Sequence, residues 1–66
     1  MKALTGREMC RLLEARDWVL HRVSGSHHIY KHVRRGRVIS VPVHARRTLK
    51  RGLQRALLKA AEIELD

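Results

Sequence analysis

WVLHRVSGSHHIYKHV, residues 18–33, decides the fold. Residues 18–23 and 27–33 are two runs rich in β-branched and aromatic side chains. Between them Ser24-Gly25-Ser26 makes a turn in which Gly25 is free to take positive φ. That is the pattern of a β-hairpin. Downstream, Arg34-Arg35-Gly36-Arg37 reads as a second hairpin loop and residues 38–43 as a third strand. Pro42 has no amide hydrogen, which puts the third strand at an edge or ends it there. Connections this short imply an antiparallel meander.

Helical patterns flank the meander. Thr5-Gly6-Arg7-Glu8 fits a capping box, and Leu4 and Met9 occupy the two positions of a hydrophobic staple. Met9, Leu12 and Leu13 follow at helical spacing, so the first helix is expected over residues 6–15. After His44, Ala45, Arg46 and Arg47, Thr48 is placed to cap a second helix. Leu49, Leu53, Leu57 and Ala60 form its apolar stripe, with Leu58 and Ala61 beside it. Glu62, Glu64 and Asp66 oppose the dipole of that helix, which predicts a frayed acidic tail. The class is therefore α+β, in the order α-β-β-β-α. A three-stranded antiparallel sheet with two helices on one face buries both stripes economically. Strand alternation then assigns the faces: Ile29 and Val33 point at the helices with His27 and Lys31 on the same side, and His28, Tyr30 and His32 lie on the open face. Trp18 and Leu20 are expected in the core.

Sixty-six residues make one domain, 1–66, with little room for a deep pocket. Cys10 is the only cysteine, so no internal disulfide forms. No stretch has the composition of a signal peptide or approaches the ~20 apolar residues of a membrane span, and the expected compartment is the cytoplasm. Fifteen Lys and Arg against six Asp and Glu leave a net charge of +9, a field that draws polyanions.

Five histidines invite a metal reading, which the pattern does not support. A structural zinc site takes four compactly spaced Cys or His ligands, and no second cysteine exists. His28 and His32 share a strand face but stand roughly 13 Å apart at strand rise. No metal and no cofactor is expected. A general base for RNA cleavage is the stronger use of a histidine here. RNA carries its own nucleophile, the 2′-hydroxyl, so the protein has only to remove that proton and stabilise the crowded phosphate. His27, set directly after the Gly25-Ser26 turn, is the candidate. Gly25, Ser26, Lys31, Arg37, His44, Arg46 and Arg47 are the candidates for phosphate contact, alongside Lys50 and Arg51 in the same basic cluster. The basic charge alone would equally serve a non-catalytic RNA-binding module or an acidic protein partner.

Several features in order resemble the HicA (YcfA-like) toxins of bacterial HicA–HicB toxin–antitoxin modules. They are Leu4-Thr5-Gly6-Arg7-Glu8; Gly25-Ser26-His27 followed by His28-Ile29-Tyr30; Val41-Pro42-Val43-His44; and Lys50-Arg51-Gly52 leading to Leu57-Leu58-Lys59. The resemblance spans nearly the whole chain. It implies a fold similar to double-stranded-RNA-binding domains and a metal-independent mRNA-cleaving toxin whose catalytic histidine matches His27. It also implies a HicB-like antitoxin as protein partner, with no membrane and no small-molecule cofactor. The family usually has Gly-Thr-Leu where this chain has Gly52-Leu53-Gln54.

Overall fold

A computed structural model describes residues 2–65. The elements run α1 (Gly6–Glu14), β1 (Trp18–Ser24), β2 (His27–His32), β3 (Val38–Pro42) and α2 (Arg51–Ala60). The three strands form one antiparallel sheet in the order β1-β2-β3, with both helices packed on it. The expected α+β order and topology are therefore present, and β3 is an edge strand that ends at Pro42.

Local chemistry starts α1 where it was expected. Thr5 accepts from the Glu8 backbone N–H at 3.1 Å, and Glu8 accepts from the Thr5 N–H at 2.9 Å, completing the capping box. That backbone bond holds the Glu8 carboxyl below its usual range. Leu4 and Met9, the staple pair, are both buried. The helix ends at Glu14 with Ala15 as its C-cap, and Asp17 takes a left-handed φ of 67° as the chain turns into β1.

The start of α2 differs from expectation. Thr48 makes an antiparallel bridge with Thr5, and Leu49 N–H donates to the Leu4 carbonyl at 2.7 Å. Thr48 is thus used to join the two segments that precede the helices. Lys50 is the N-cap and supplies no side-chain cap. The buried face of α2 is also rotated from the expected stripe: Gln54, Leu57 and Leu58 are buried, and Leu53 is exposed. Gln54 can face inward because both ends of its amide are engaged. It accepts from Leu4 N–H at 2.6 Å and donates to the Lys2 carbonyl at 2.7 Å.

The chain after α2 is held rather than frayed. Ile63 N–H donates to Leu58 O at 2.9 Å and Glu62 N–H to Lys59 O at 3.1 Å, a Schellman motif with Glu62 left-handed at φ 57°. Ile63 is buried, and Glu62 pairs with Arg35 of the β2–β3 loop. Asp66, the last acid of the expected tail, lies outside the described residues.

The largest correction concerns the sheet faces. Trp18 pairs with His32, Tyr30 with Ile39, and His28 with Val41. Trp18, Tyr30, His32, Ile39 and Val41 are all buried under the helices, with Tyr30 only 1% exposed. The helix-covered face is therefore that of His28, Tyr30 and His32. His27, Ile29 and Lys31 lie on the open face, and Val33, expected in the core, is 60% exposed beyond the strand end. Two polar groups enter the core because each brings a partner. Tyr30 donates to Glu14 Oε2 at 2.6 Å. His32 Nδ1 accepts from the Arg34 and Arg35 amides at 3.1 and 3.2 Å, capping the hairpin loop, while its ring meets Trp18 edge-on at 5.1 Å. Leu20 belongs to the covered face by register but is exposed at the edge of the sheet.

Candidate functional site

Ser24 and His27 are the last facing pair of the β1–β2 ladder, leaving Gly25 and Ser26 as a two-residue loop. Gly25 sits at φ 58° and Ser26 is not left-handed, the pattern of a type II′ turn. Such a turn matches the twist of the strands it joins, so the residue that follows is rigidly placed. That residue is His27. It is exposed, with Ser24 beside it on one side and Pro42 on the other. Ser26 contributes through its backbone: its carbonyl accepts from Val43 N–H at 2.7 Å, fastening the end of β3 to the turn.

His44 follows two residues after Pro42, so the third strand delivers it to the same end of the sheet as His27. There Ala45 takes a φ of 48° and His44 O accepts from Arg47 N–H at 2.9 Å, closing a turn that carries Arg46 and Arg47 on the surface. Pro42, His44, Arg47 and Lys50 line a cavity of 270 Å³ at this end. The structure thus sets Gly25, Ser26 and His27 against the end of β3, with His44 next in the chain after Val43, Arg47 on the cavity that Pro42 and His44 line, and Arg46 adjacent in the chain. Lys31 shares the open face with His27 but sits four residues along β2, roughly 13 Å away at strand rise. Arg37 is farther still, in the loop at the opposite end of the sheet, where its carbonyl accepts from His32 N–H at 3.0 Å.

Sequence reading missed a second cation on the His27 face. A β-bulge between Leu20 and Arg22 leaves His21 without a partner and sets Arg22 opposite Ile29. Without the bulge Arg22 would share the face of Trp18 and Leu20. With it, Arg22, His27 and Lys31 stand on one open surface. Among the described residues Arg35–Glu62 is the only ion pair, so the cations on this face are not neutralised by a direct carboxylate contact.

Beneath the opposite face, burial and the bond to Glu14 raise the Tyr30 hydroxyl far above its ordinary value, and burial pushes the Cys10 thiol up. Both are therefore protonated across the neutral range. Among the described residues no three or more His, Cys, Asp and Glu side chains converge as a metal site. No helix of the described residues is long and apolar enough to cross a membrane.

Comparison with curated proteins finds no match. A family model described as the HicA toxin of bacterial toxin–antitoxin systems matches residues 6–63. That span runs from the first residue of α1 through the buried Ile63 and includes every element of the fold and the whole His27 end of the sheet. The chain belongs to the HicA toxin family of bacterial toxin–antitoxin systems.

Proposed function

We propose that this toxin is a metal-independent endoribonuclease that cleaves mRNA, with His27 as the general base. The observation that carries the reading is the placement of His27: an exposed imidazole directly after a type II′ turn, on an open face that also bears Arg22 and Lys31. In the proposed step His27 takes the proton of a 2′-hydroxyl, whose oxygen attacks the adjacent phosphorus. The bond from phosphorus to the 5′-oxygen breaks, and that oxygen takes a proton from His44 or water. The products are a 2′,3′-cyclic phosphate and a free 5′-hydroxyl. Cations around the face offset the charge that accumulates on the phosphate. Arg46 and Arg47 hold the flanking backbone, and Gly25 and Ser26 keep the turn that positions the base. A HicB-like antitoxin is the proposed protein partner, and the cytoplasm the proposed site of action.

The test is cleavage of a defined single-stranded RNA in EDTA by the wild type and His27→Ala. Cleavage by the wild type alone, with both proteins equally folded, supports the assignment. If neither protein cuts and both bind RNA with steep salt dependence, the chain is a non-catalytic RNA-binding module instead.

A further inference from the structure

His28 is the neighbour of the proposed base, and its side chain leaves the strand on the opposite face. There it helps to line a cleft of 330 Å³ between α1 and the β1 edge, with Arg7, Arg11 and Glu14 from the helix, Leu20 from β1, and Val43. That volume falls at the lower end of the ~300–1,000 Å³ typical of small-ligand sites. We propose that this cleft is a nucleotide subsite of the RNA-cleaving site, taking the phosphate of a residue flanking the scissile bond on Arg7 and Arg11 and its ring against Leu20 and Val43.

Three observations carry the assignment, which rests on the RNA-cleaving reading above. The first is charge. Arg7 and Arg11 lie one helical turn apart on α1 and make no ion pair among the described residues, although Glu14 lines the same cleft. Glu14 instead accepts the Tyr30 hydroxyl hydrogen through Oε2, which ties this exposed acid to the buried phenol. Two guanidiniums are thus left for a ligand, and guanidinium is the side-chain group best matched to phosphate oxygens.

The second is composition. Leu20 is a large apolar side chain, 43% exposed, beside the half-buried Val43 and His28. A cationic rim with apolar walls suits a nucleotide, which presents an anion and a flat ring together. The third is continuity. The Gly25–Ser26 turn lies between the two faces, and the space where a Gly25 side chain would stand is open. Gly25 therefore adds no side chain of its own between His27 and the cleft.

Binding of a short 2′-O-methyl RNA, which lacks the nucleophilic hydroxyl and is not cut, tests this apart from catalysis. Wild type, Arg7→Ala, Arg11→Ala and His28→Asn are compared with Arg55→Ala, an equal charge change on the exposed side of α2. Each cleft arginine should cost about five- to tenfold in affinity and lower the salt slope by about 0.7. His28→Asn should weaken binding while the protein remains folded in a thermal melt. Losses in the Arg7 and Arg11 variants no greater than that of Arg55→Ala overturn the subsite, as does a wild type that does not bind. A wild type that binds through the cleft but fails to cut unmodified RNA retains the cleft as a nucleotide-binding site and sinks the catalytic reading. One that cuts while Arg7 and Arg11 behave like Arg55 sinks the subsite alone.

Discussion

The backbone N–H of Leu4 donates to Gln54 Oε1 at 2.6 Å, joining two residues fifty positions apart. The same amide donates from Nε2 to the Lys2 carbonyl at 2.7 Å. One buried glutamine thereby continues the contact that the Thr5–Thr48 bridge begins, and closes the N-terminal segment onto α2.

Gln54→Leu should be strongly destabilising although it makes the helix face more apolar. It removes both bonds and leaves the Leu4 amide without its acceptor, a loss of about 2–3 kcal/mol. In a domain of this size that lowers the thermal midpoint by roughly 10–20 °C. Leu53→Gln, one position earlier on the exposed side, should change the midpoint by only a few degrees. A thermal melt in which Leu53→Gln is the more damaging of the two would restore the stripe read from the sequence.

That reversal illustrates what was legible and what was not. Turn chemistry and the capping of α1 were readable because their causes are local: Thr5 with Glu8, Gly25 between two apolar runs, Pro42 at an edge. The face of β2 was not. His27, Ile29, Lys31 and Val33 alternate with His28, Tyr30 and His32, so each face of the strand mixes polar and apolar groups, and the aliphatic pair misleads. The deciding signal lay on other strands. Trp18 faces His32 and Val41 faces His28, so the even-numbered set follows its neighbours into the core. Burying it needed long-range partners, Glu14 for the Tyr30 hydroxyl and two loop amides for His32, which no window of sequence displays. The bulge that turns Arg22 onto the His27 face is hidden for the same reason. The turn before His27 was readable because it is local; the Arg7–Arg11–His28 cleft was not, because α1 and β2 meet only in the fold.

Tyr30 makes stability sensitive to alkali. Burial and the bond to Glu14 raise its ionisation well above the ordinary value of 10.0. Because the folded value exceeds the unfolded one, the protonated phenol contributes fully below about pH 10, and that contribution is lost as pH rises beyond it. Tyr30→Phe removes the bond and the titration together. It should be about 1 kcal/mol less stable at pH 7, with the gap closing between pH 9.5 and 11. Urea melts of both proteins across that range check it; a gap that widens with pH would contradict the assignment.

Gly6, the first residue of α1, is required for space rather than for conformation. A Cβ there would stand 2.2 Å from the Pro42 carbonyl oxygen and 3.0 Å from Val43 Cα, both backbone atoms. Alanine is the better helix former, yet Gly6→Ala must push α1 away from the end of β3, at about 2–3 kcal/mol. Gly52→Ala, in the second helix where nothing lies within 4 Å of the added carbon, should instead gain about 0.5–1 kcal/mol. Opposite signs for the two substitutions in a denaturant titration are the expected result. Gly6→Ala should also slow the proposed RNA cleavage, since the displaced Pro42 is the cross-strand neighbour of His27.

Glu62 holds a position that favours glycine. Its φ of 57° is the left-handed turn of the Schellman motif ending α2, and its carboxylate pairs with the exposed Arg35. The left-handed conformation costs a side-chain-bearing residue about 1 kcal/mol, and an exposed ion pair returns at most about that much. Glu62→Gly relieves the first and loses the second, while glycine adds some unfolded-state entropy. These terms nearly cancel, so Glu62→Gly should lie within about 0.5 kcal/mol of the wild type, a midpoint change of no more than roughly 2–4 °C. Glu62→Ala loses the pair and keeps the strain, so it should fall at or below the wild type. A glycine variant above the alanine one in thermal midpoint is therefore the readout. An alanine variant above the glycine one would mean that the ending of α2 is not left-handed at this residue.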